Sequence, residues 1–468
     1  MQKPTFNNTS AKTISNIPGH DSGTPIDQPN KIHTREPVKD KQRIEILDII
    51  RGVAVLGILL MNIWVFGMYI MGEPFFEMIS DKSGLNFWTY GIIIVFFEGK
   101  MRALFCMLFG AGIMLFITQK KIPGKKGLWR LFYFRMFWLV LFGLAQAHLL
   151  LWAGDILYFY GLFGMVVYLL HKMKPKYKIL GVPIVAIIGF VMGVLFFQNI
   201  RDQKLNYLDA QKAQAENQEL TESQNKAITK WNETRAVFYP DFEIANESIE
   251  KMRGSYSEVA SEVRPLAWMM ETQMVFMMLG DNVALMLLGM ALLQWGFIIG
   301  KWSNRQYKLV AIIGYSVGLP LVIISQYHYA MNFSSLKDTF QFMKEHSTDW
   351  YALIYPFQRI FLVMAHTSLL ILIIKGEYLN ALMKRLKAVG QMAFTNYILQ
   401  TIICTLFFFG YGLGYFHRLE FYQLYFVVIA VWLIEIIISP IWLRYYRFGP
   451  MEWLWRSLTY WRIQPMKR

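Results

Sequence analysis

From residue 47 onward the chain alternates apolar stretches of about twenty residues with short polar connections, the pattern of helices that cross hydrocarbon. The stretches 47–71, 87–118, 131–151, 155–170, 179–198, 266–298, 307–325, 351–374, 389–409 and 421–443 predict about ten transmembrane helices. The fold class expected is therefore all-α, a polytopic bundle. The connections set a direction. Lys120, Lys121, Lys125, Lys126 and Arg130 fill one of them, and Lys172, Lys174, Lys176 and Lys178 another. Lys301, Arg305 and Lys308 follow, then Lys375, Lys384, Arg385 and Lys387. The intervening connections are poor in cations, as in 72–86 and 410–420. Basic loops stay on the cytoplasmic side, so both termini are expected there.

Three segments break the pattern. Residues 1–42 are polar and carry five prolines without an apolar run, which predicts a disordered cytoplasmic tail. No secretory apolar core precedes the first span, so no cleaved signal is expected. Residues 199–265 are rich in Gln, Glu, Lys and Ala and form a polar insertion, extracytoplasmic by this topology. Its composition favours a helical hairpin or a mobile loop. The insertion divides an N-terminal bundle, 43–198, from a C-terminal bundle, 266–443. The end, 444–468, mixes Tyr and Trp with arginines, as in a segment lying along the cytoplasmic interface.

Composition agrees with the membrane reading. Of 468 residues 55% are hydrophobic and only 17% charged, with mean hydropathy +0.32. A soluble domain carries about a quarter charged residues. The formal net charge of +15 is met by basic residues at helix ends, and no nucleic-acid motif accompanies it. Two cysteines, Cys106 and Cys404, lie in apolar stretches, which excludes a disulfide framework or a cysteine-rich metal site. No phosphate-binding loop, GxSxG elbow or HExxH is present, and no metal site is expected.

Ionisable groups at bilayer depth are costly and mark candidate function. Asp48 and Arg51, three apart, share a helix face at the start of the first span. Asn62 lies about 16 Å deeper. Glu98, Lys100 and Arg102, with Gly99, interrupt 87–118, a stretch that would run about 48 Å if straight. A broken helix is expected there, its cations suited to phosphate or carboxylate. His148 ends the third span and Asp155 opens the fourth after a short turn, with Trp152 and Tyr160 close by. An Asp holding an imidazole fixes its tautomer, as a general base requires. Asn396 and Gln400, four apart, share a face of the ninth span, and Asp281, Asn282, Arg359, His366 and Glu435 lie within other spans.

Six stretches carry a family resemblance: LDIIRGVAVLGILLMNI (47–63), FFEGKMRALFCMLFGAGI (96–113), WAGDILYFYGLFG (152–164), VGQMAFTNYILQT (389–401), YGLGY (411–415) and FGPMEWLWRSLTY (448–460). Together they resemble the YeiB-like membrane family, the last three its C-terminal domain. More loosely, the LDxxRG opening resembles transmembrane acyltransferases, including heparan-α-glucosaminide N-acetyltransferase. That resemblance implies an enzyme moving an acyl group from cytoplasmic acyl-CoA, such as acetyl-CoA, to a hydroxyl or amine of a cell-envelope or lipid-linked acceptor. It implies no tightly bound cofactor, a bacterial cytoplasmic membrane, and lipid and a small-molecule or glycan acceptor as partners, with room for a homodimer. Asn62 stands where the acyltransferase-three group has a histidine, so His148, held by Asp155, becomes the expected base. Arg51, Lys100 and Arg102 are the expected phosphate contacts, Asn62 or Asn396 an oxyanion donor, and Asp48, Trp152, Asn396 and Gln400 further substrate contacts. A transporter or permease for a small or lipid-linked metabolite is the alternative, with the same charges as its binding site.

Overall fold

The computed structural model describes residues 44–80, 84–119 and 125–468. The tail expected over 1–42 lies outside the described residues. Helices follow one another without a strand among the described residues. The first six are α1 (Glu45–Gly67), α2 (Gly72–Ser80), α3 (Leu85–Phe96), α4 (Lys100–Gln119), α5 (Lys125–His148) and α6 (Leu157–Leu169). Next come α7 (Pro175–Ala215), α8 (Glu222–Phe238), α9 (Phe242–Met252), α10 (Tyr256–Thr272), α11 (Val275–Gln294) and α12 (Asn304–Asn332). The last are α13 (Leu336–Glu345), α14 (Ile354–Lys375), α15 (Asn380–Gln391), α16 (Ala393–Phe408), α17 (Leu424–Tyr445) and α18 (Pro450–Tyr460).

The protein is a polytopic membrane protein. Among the described residues eight helical segments, with α3 and α4 taken together, are long and apolar enough to cross a membrane. Helices α15 and α16 form a further pair bent by 84°, and α6 is a shorter apolar helix. Each stretch drawn from hydropathy overlaps one of these elements, but several boundaries move. The sixth span starts at Val275, because a turn at Gln273–Met274 separates it from α10. The fifth runs on as one helix to Ala215, well past its apolar part.

Burial sorts the helices into layers. Helices α1 and α11 are mostly enclosed, whereas the apolar parts of α5, α7 and α12 are largely uncovered by protein. On α7, Leu180, Ile184, Ile188, Val191 and Leu195 repeat every three or four residues and are all exposed, which makes a lipid-facing stripe. Within lipid no hydrophobic force pulls helices together, so close approach of small residues and polar contacts fix the packing. Helix α1 lies against α15 in this way: a Cβ on Gly52 would strike the Leu386 carbonyl, and one on Gly390 the Asp48 carbonyl. The polar insertion is helical rather than a loose loop. The extension of α7, with α8 and α13, buries Ile200, Trp231 and Met343 in a small core of its own. Lys204 lies over the Phe340 ring, 4.2 Å from its centroid, and so closes that core.

Candidate functional site

One partly open cavity of about 310 Å³ lies at the end of the bundle where α1 begins. Helix α1 contributes Asp48 and Arg51, α5 Arg135, and α18 Glu452, Trp455 and Arg456. Apolar and aromatic side chains of α4, α5 and α16 form the walls, and Tyr160 of α6 and Tyr397 of α16 face into it. Five of the six stretches that carry the family resemblance supply lining residues. Only YGLGY stays away.

The polar groups are ordered by short bonds. Arg51 Nη1 donates to Asp48 Oδ1 at 2.9 Å, and Gln391 Nε2 to Asp48 Oδ2 at 3.2 Å. The Glu452 carboxylate accepts from the amides of Phe394 and Thr395 and from the Thr395 hydroxyl, and thereby holds α18 on the first turn of α16. Burial raises the Glu452 carboxyl above its ordinary value, against the pull of those bonds. Arg135 stacks its guanidinium over Trp455 at 3.6 Å and lies within coulombic reach of Arg456 and Arg51. Among the described residues that line the cavity, three are arginines and two are carboxylates, both carboxylates already engaged. Such a wall suits an anion, and the aromatic surfaces beside it suit an apolar appendage.

The other sequence-derived candidates fall elsewhere. Lys100 is buried and donates to the Ile94 carbonyl at 2.7 Å, while Arg102 pairs with Asp281 at 2.7 Å. Both sit at the break between α3 and α4, where Gly99 has φ +68, and neither lines the cavity. Asn62 is half-buried on α1, away from the cavity. Asn396 spends its amide on the Val389 carbonyl and Ser439 Oγ, both at 3.1 Å. Gln400 bridges the Val55 carbonyl, at 3.2 Å, and Glu435, at 3.1 Å. Trp152 stacks on Phe66 and donates to the Tyr397 hydroxyl at 3.2 Å.

His148 and Asp155 do not meet as the short turn predicted. His148 Nε2 lies 2.9 Å from Glu271 Oε2, and Asp155 instead accepts from the Tyr158 amide at 2.8 Å. The reason is that α10 and α11 come back alongside α5 and α6, so a carboxylate from the far side of the insertion reaches the imidazole first. Among the described residues no group of three or more His, Cys, Asp or Glu could hold a metal ion.

Sequence reasoning passed over Arg135, Glu452, Arg456 and Glu271. Arg135 did leave a trace, a lone cation inside the apolar run from Leu131 to Phe142. Glu452 and Arg456, four apart, stood in a tail whose aromatic content pointed only to an interface.

Comparison with known proteins gives the family. Residues 292–462 match the model of a "Protein of unknown function (DUF418)". The chain is 30% identical to the "Uncharacterized protein YeiB" of Escherichia coli (strain K12), over 88% of this chain and 95% of that one. It is 28% identical to the "Uncharacterized protein YxaH" of Bacillus subtilis (strain 168), over 92% and 98% respectively. An "Uncharacterized 39.9 kDa protein in amylase 3'region" of Bacillus acidopullulyticus is 24% identical, over 92% of this chain and 98% of its own. No solved structure matches. Helical architecture and similarity over most of both chains agree: the chain belongs to the YeiB-like family of multi-pass membrane proteins.

Proposed function

We propose that the protein is an acyltransferase of the bacterial cytoplasmic membrane. It takes an acyl group from cytoplasmic acyl-CoA and passes it to a hydroxyl or amine of a cell-envelope or lipid-linked acceptor. The observation that carries this reading is the cavity in which Arg51, Arg135 and Arg456 border apolar and aromatic walls. A CoA thioester has the matching form, a cluster of phosphates joined to a long, weakly polar arm.

In this mechanism the phosphates pair with the guanidinia, whose forked donors fit phosphate oxygens. The pantetheine arm follows the wall between α4 and α16 towards Tyr160 and Tyr397. The Tyr397 hydroxyl accepts from Trp152 Nε1 and from the Ile156 amide, which leaves its own proton free to donate. It is therefore a better oxyanion donor than Asn62 or Asn396. His148, held by Glu271, takes the proton of the acceptor as its oxygen or nitrogen attacks the thioester carbonyl. The C–S bond then breaks, and CoA leaves as the thiol with the proton that His148 gives up. Arg135 and His148 are thirteen residues apart on α5, about 20 Å, and the extended arm bridges that interval.

The test is binding and turnover of labelled acetyl-CoA by purified protein in lipid nanodiscs. Saturable binding that is weakened in Arg135→Ala and Arg456→Ala supports the reading. Absence of binding for any CoA thioester, acetyl or longer, ends it.

The break at Phe97–Gly99 and the 84° bend between α15 and α16 favour a second reading, a transporter, since discontinuous helices line transport sites. Uptake of a solute by proteoliposomes without acyl transfer would select it.

A further inference from the structure

Away from the cavity, a second set of charges crosses the bundle where α3, α4, α11 and α14 meet. We propose that Arg102, Asp281 and Arg359 form an anion-binding site within the membrane, at which Asp281 occupies the place of an incoming carboxylate or phosphate. The two guanidinia share this one carboxylate. Arg102 Nη2 lies 2.7 Å from Asp281 Oδ2, and Arg359 Nη2 contacts Asp281 Oδ1.

Arg359 is not satisfied by that arrangement. The Arg359 side chain is only 2% exposed, yet its Nε and Nη1 have no hydrogen-bond partner. The guanidinium also lies over the Tyr355 ring, 4.7 Å from its centroid. The second carboxylate of the cluster is spoken for, because Glu98 accepts from the Tyr355 hydroxyl at 2.8 Å and faces Lys100 at 4.0 Å. Among the described residues three cations, Lys100, Arg102 and Arg359, therefore stand against two anions, Glu98 and Asp281. Helix α4 begins in the midst of them and adds the partial positive charge of its N-terminus.

A purely structural ion pair at bilayer depth is expected to be balanced, since an unmatched buried charge costs several kcal/mol. Here the imbalance has a direction. Arg102 and Asp281 keep 32% and 25% of their side-chain surface uncovered by protein, whereas Arg359 is enclosed. An anion entering there displaces Asp281 from one guanidinium and takes up the idle donors of Arg359, for which carboxylate and phosphate have the right fork geometry. The site stands independently of the CoA reading, because none of its three residues lines the cavity.

The experiment is a titration of purified full-length protein in detergent, with inorganic phosphate and separately acetate, read by calorimetry and by thermal unfolding. Asp281→Asn removes the internal competitor, so the affinity for anion is expected to rise by roughly tenfold. Arg359→Gln is expected to lower it by a similar factor, and Arg359→Lys to fall between. Arg135→Ala, which cripples the other cavity, isolates this site, and anion binding that depends on Arg359 persists in it. The preferred anion distinguishes a phosphorylated ligand from a carboxylic one. Equal midpoints in wild type, Asp281→Asn and Arg359→Gln overturn the proposal, as does no titration by either anion, or binding that vanishes in Arg135→Ala. If Arg359→Gln fails to fold, the sign of the Asp281→Asn effect decides, because a merely structural carboxylate gives no gain in affinity on removal.

Discussion

His148 Nε2 lies 2.9 Å from a carboxylate oxygen of Glu271, a residue 123 positions further along the chain. His148 closes α5, and Glu271 sits in the last turn of α10. The carboxylate is nearly enclosed, while the imidazole keeps 29% of its side-chain surface. One partner is thus fixed by packing and the other is partly exposed, which is compatible with the proposed role of His148 as base.

If His148 is that base, His148→Ala lowers the rate of acyl transfer by about 10²–10⁴-fold and leaves acetyl-CoA binding intact. Glu271→Gln keeps a hydrogen-bonding side chain in place but withdraws the charge. It is expected to lower kcat by a smaller factor, with KM for acetyl-CoA unchanged. Steady-state kinetics with each variant checks both. A variant that loses the two parameters together points to a folding role instead.

Removal of Arg135 or Arg456 deletes charge-assisted contacts worth about 1.5–3 kcal/mol each. The affinity for acyl-CoA is then expected to fall roughly tenfold to a hundredfold. Wild-type affinity should weaken as salt is raised, and less steeply in the variants, because fewer cations remain to be screened. Equilibrium binding at several ionic strengths measures this.

Gly390 meets α1 so closely that a methyl group would collide with the Asp48 carbonyl. Gly390→Ala therefore pushes α15 off α1, at a cost of about 1–3 kcal/mol typical of overpacking. The same shift carries Gln391 away from Asp48 and loosens Arg51. A lowered unfolding temperature together with weaker acyl-CoA binding is the expected pair of results.

His417, in the connection between α16 and α17, gives a pH-dependent term. Its amide donates to the Gly67 carbonyl at 2.8 Å, and its ring Nδ1 accepts weakly from the Tyr69 amide at 3.4 Å. Burial, and next the Arg253 charge, hold its pKa below the ordinary 6.5. The folded protein thus prefers the neutral ring, so the stabilisation is complete above the unfolded value and is lost as pH falls through the folded one. His417→Asn tolerates the left-handed backbone at this position, φ 54, and lacks the titration. Unfolding temperatures from pH 7.5 down to 5 should fall more in wild type than in this variant, with ~pH 6.5 as the upper end of the effect.

Hydropathy alone marked where the helices run, and the break near Glu98 was legible from length and from glycine among charges. The candidate site was legible only in part. Asp48 and Arg51 were visible as a pair because they are neighbours on one helix turn. Arg102 and His148 were visible as costly charges, but their partners were not. Asp281 and Glu271 come from helices more than a hundred residues away, and no local pattern encodes that meeting.

By itself, then, the sequence determined that this chain crosses a membrane many times as helices, since a backbone in hydrocarbon must bond within its own segment and each apolar run is a local property. Only the tertiary structure decided which polar groups face one another. The rotation of each helix about its axis is set by small-residue contacts such as Gly52 and Gly390 on the α1–α15 interface, and those depend on the whole bundle. That rotation turned Arg51, Arg135 and Arg456 into one cavity and left Arg102 and Arg359 to share a single carboxylate.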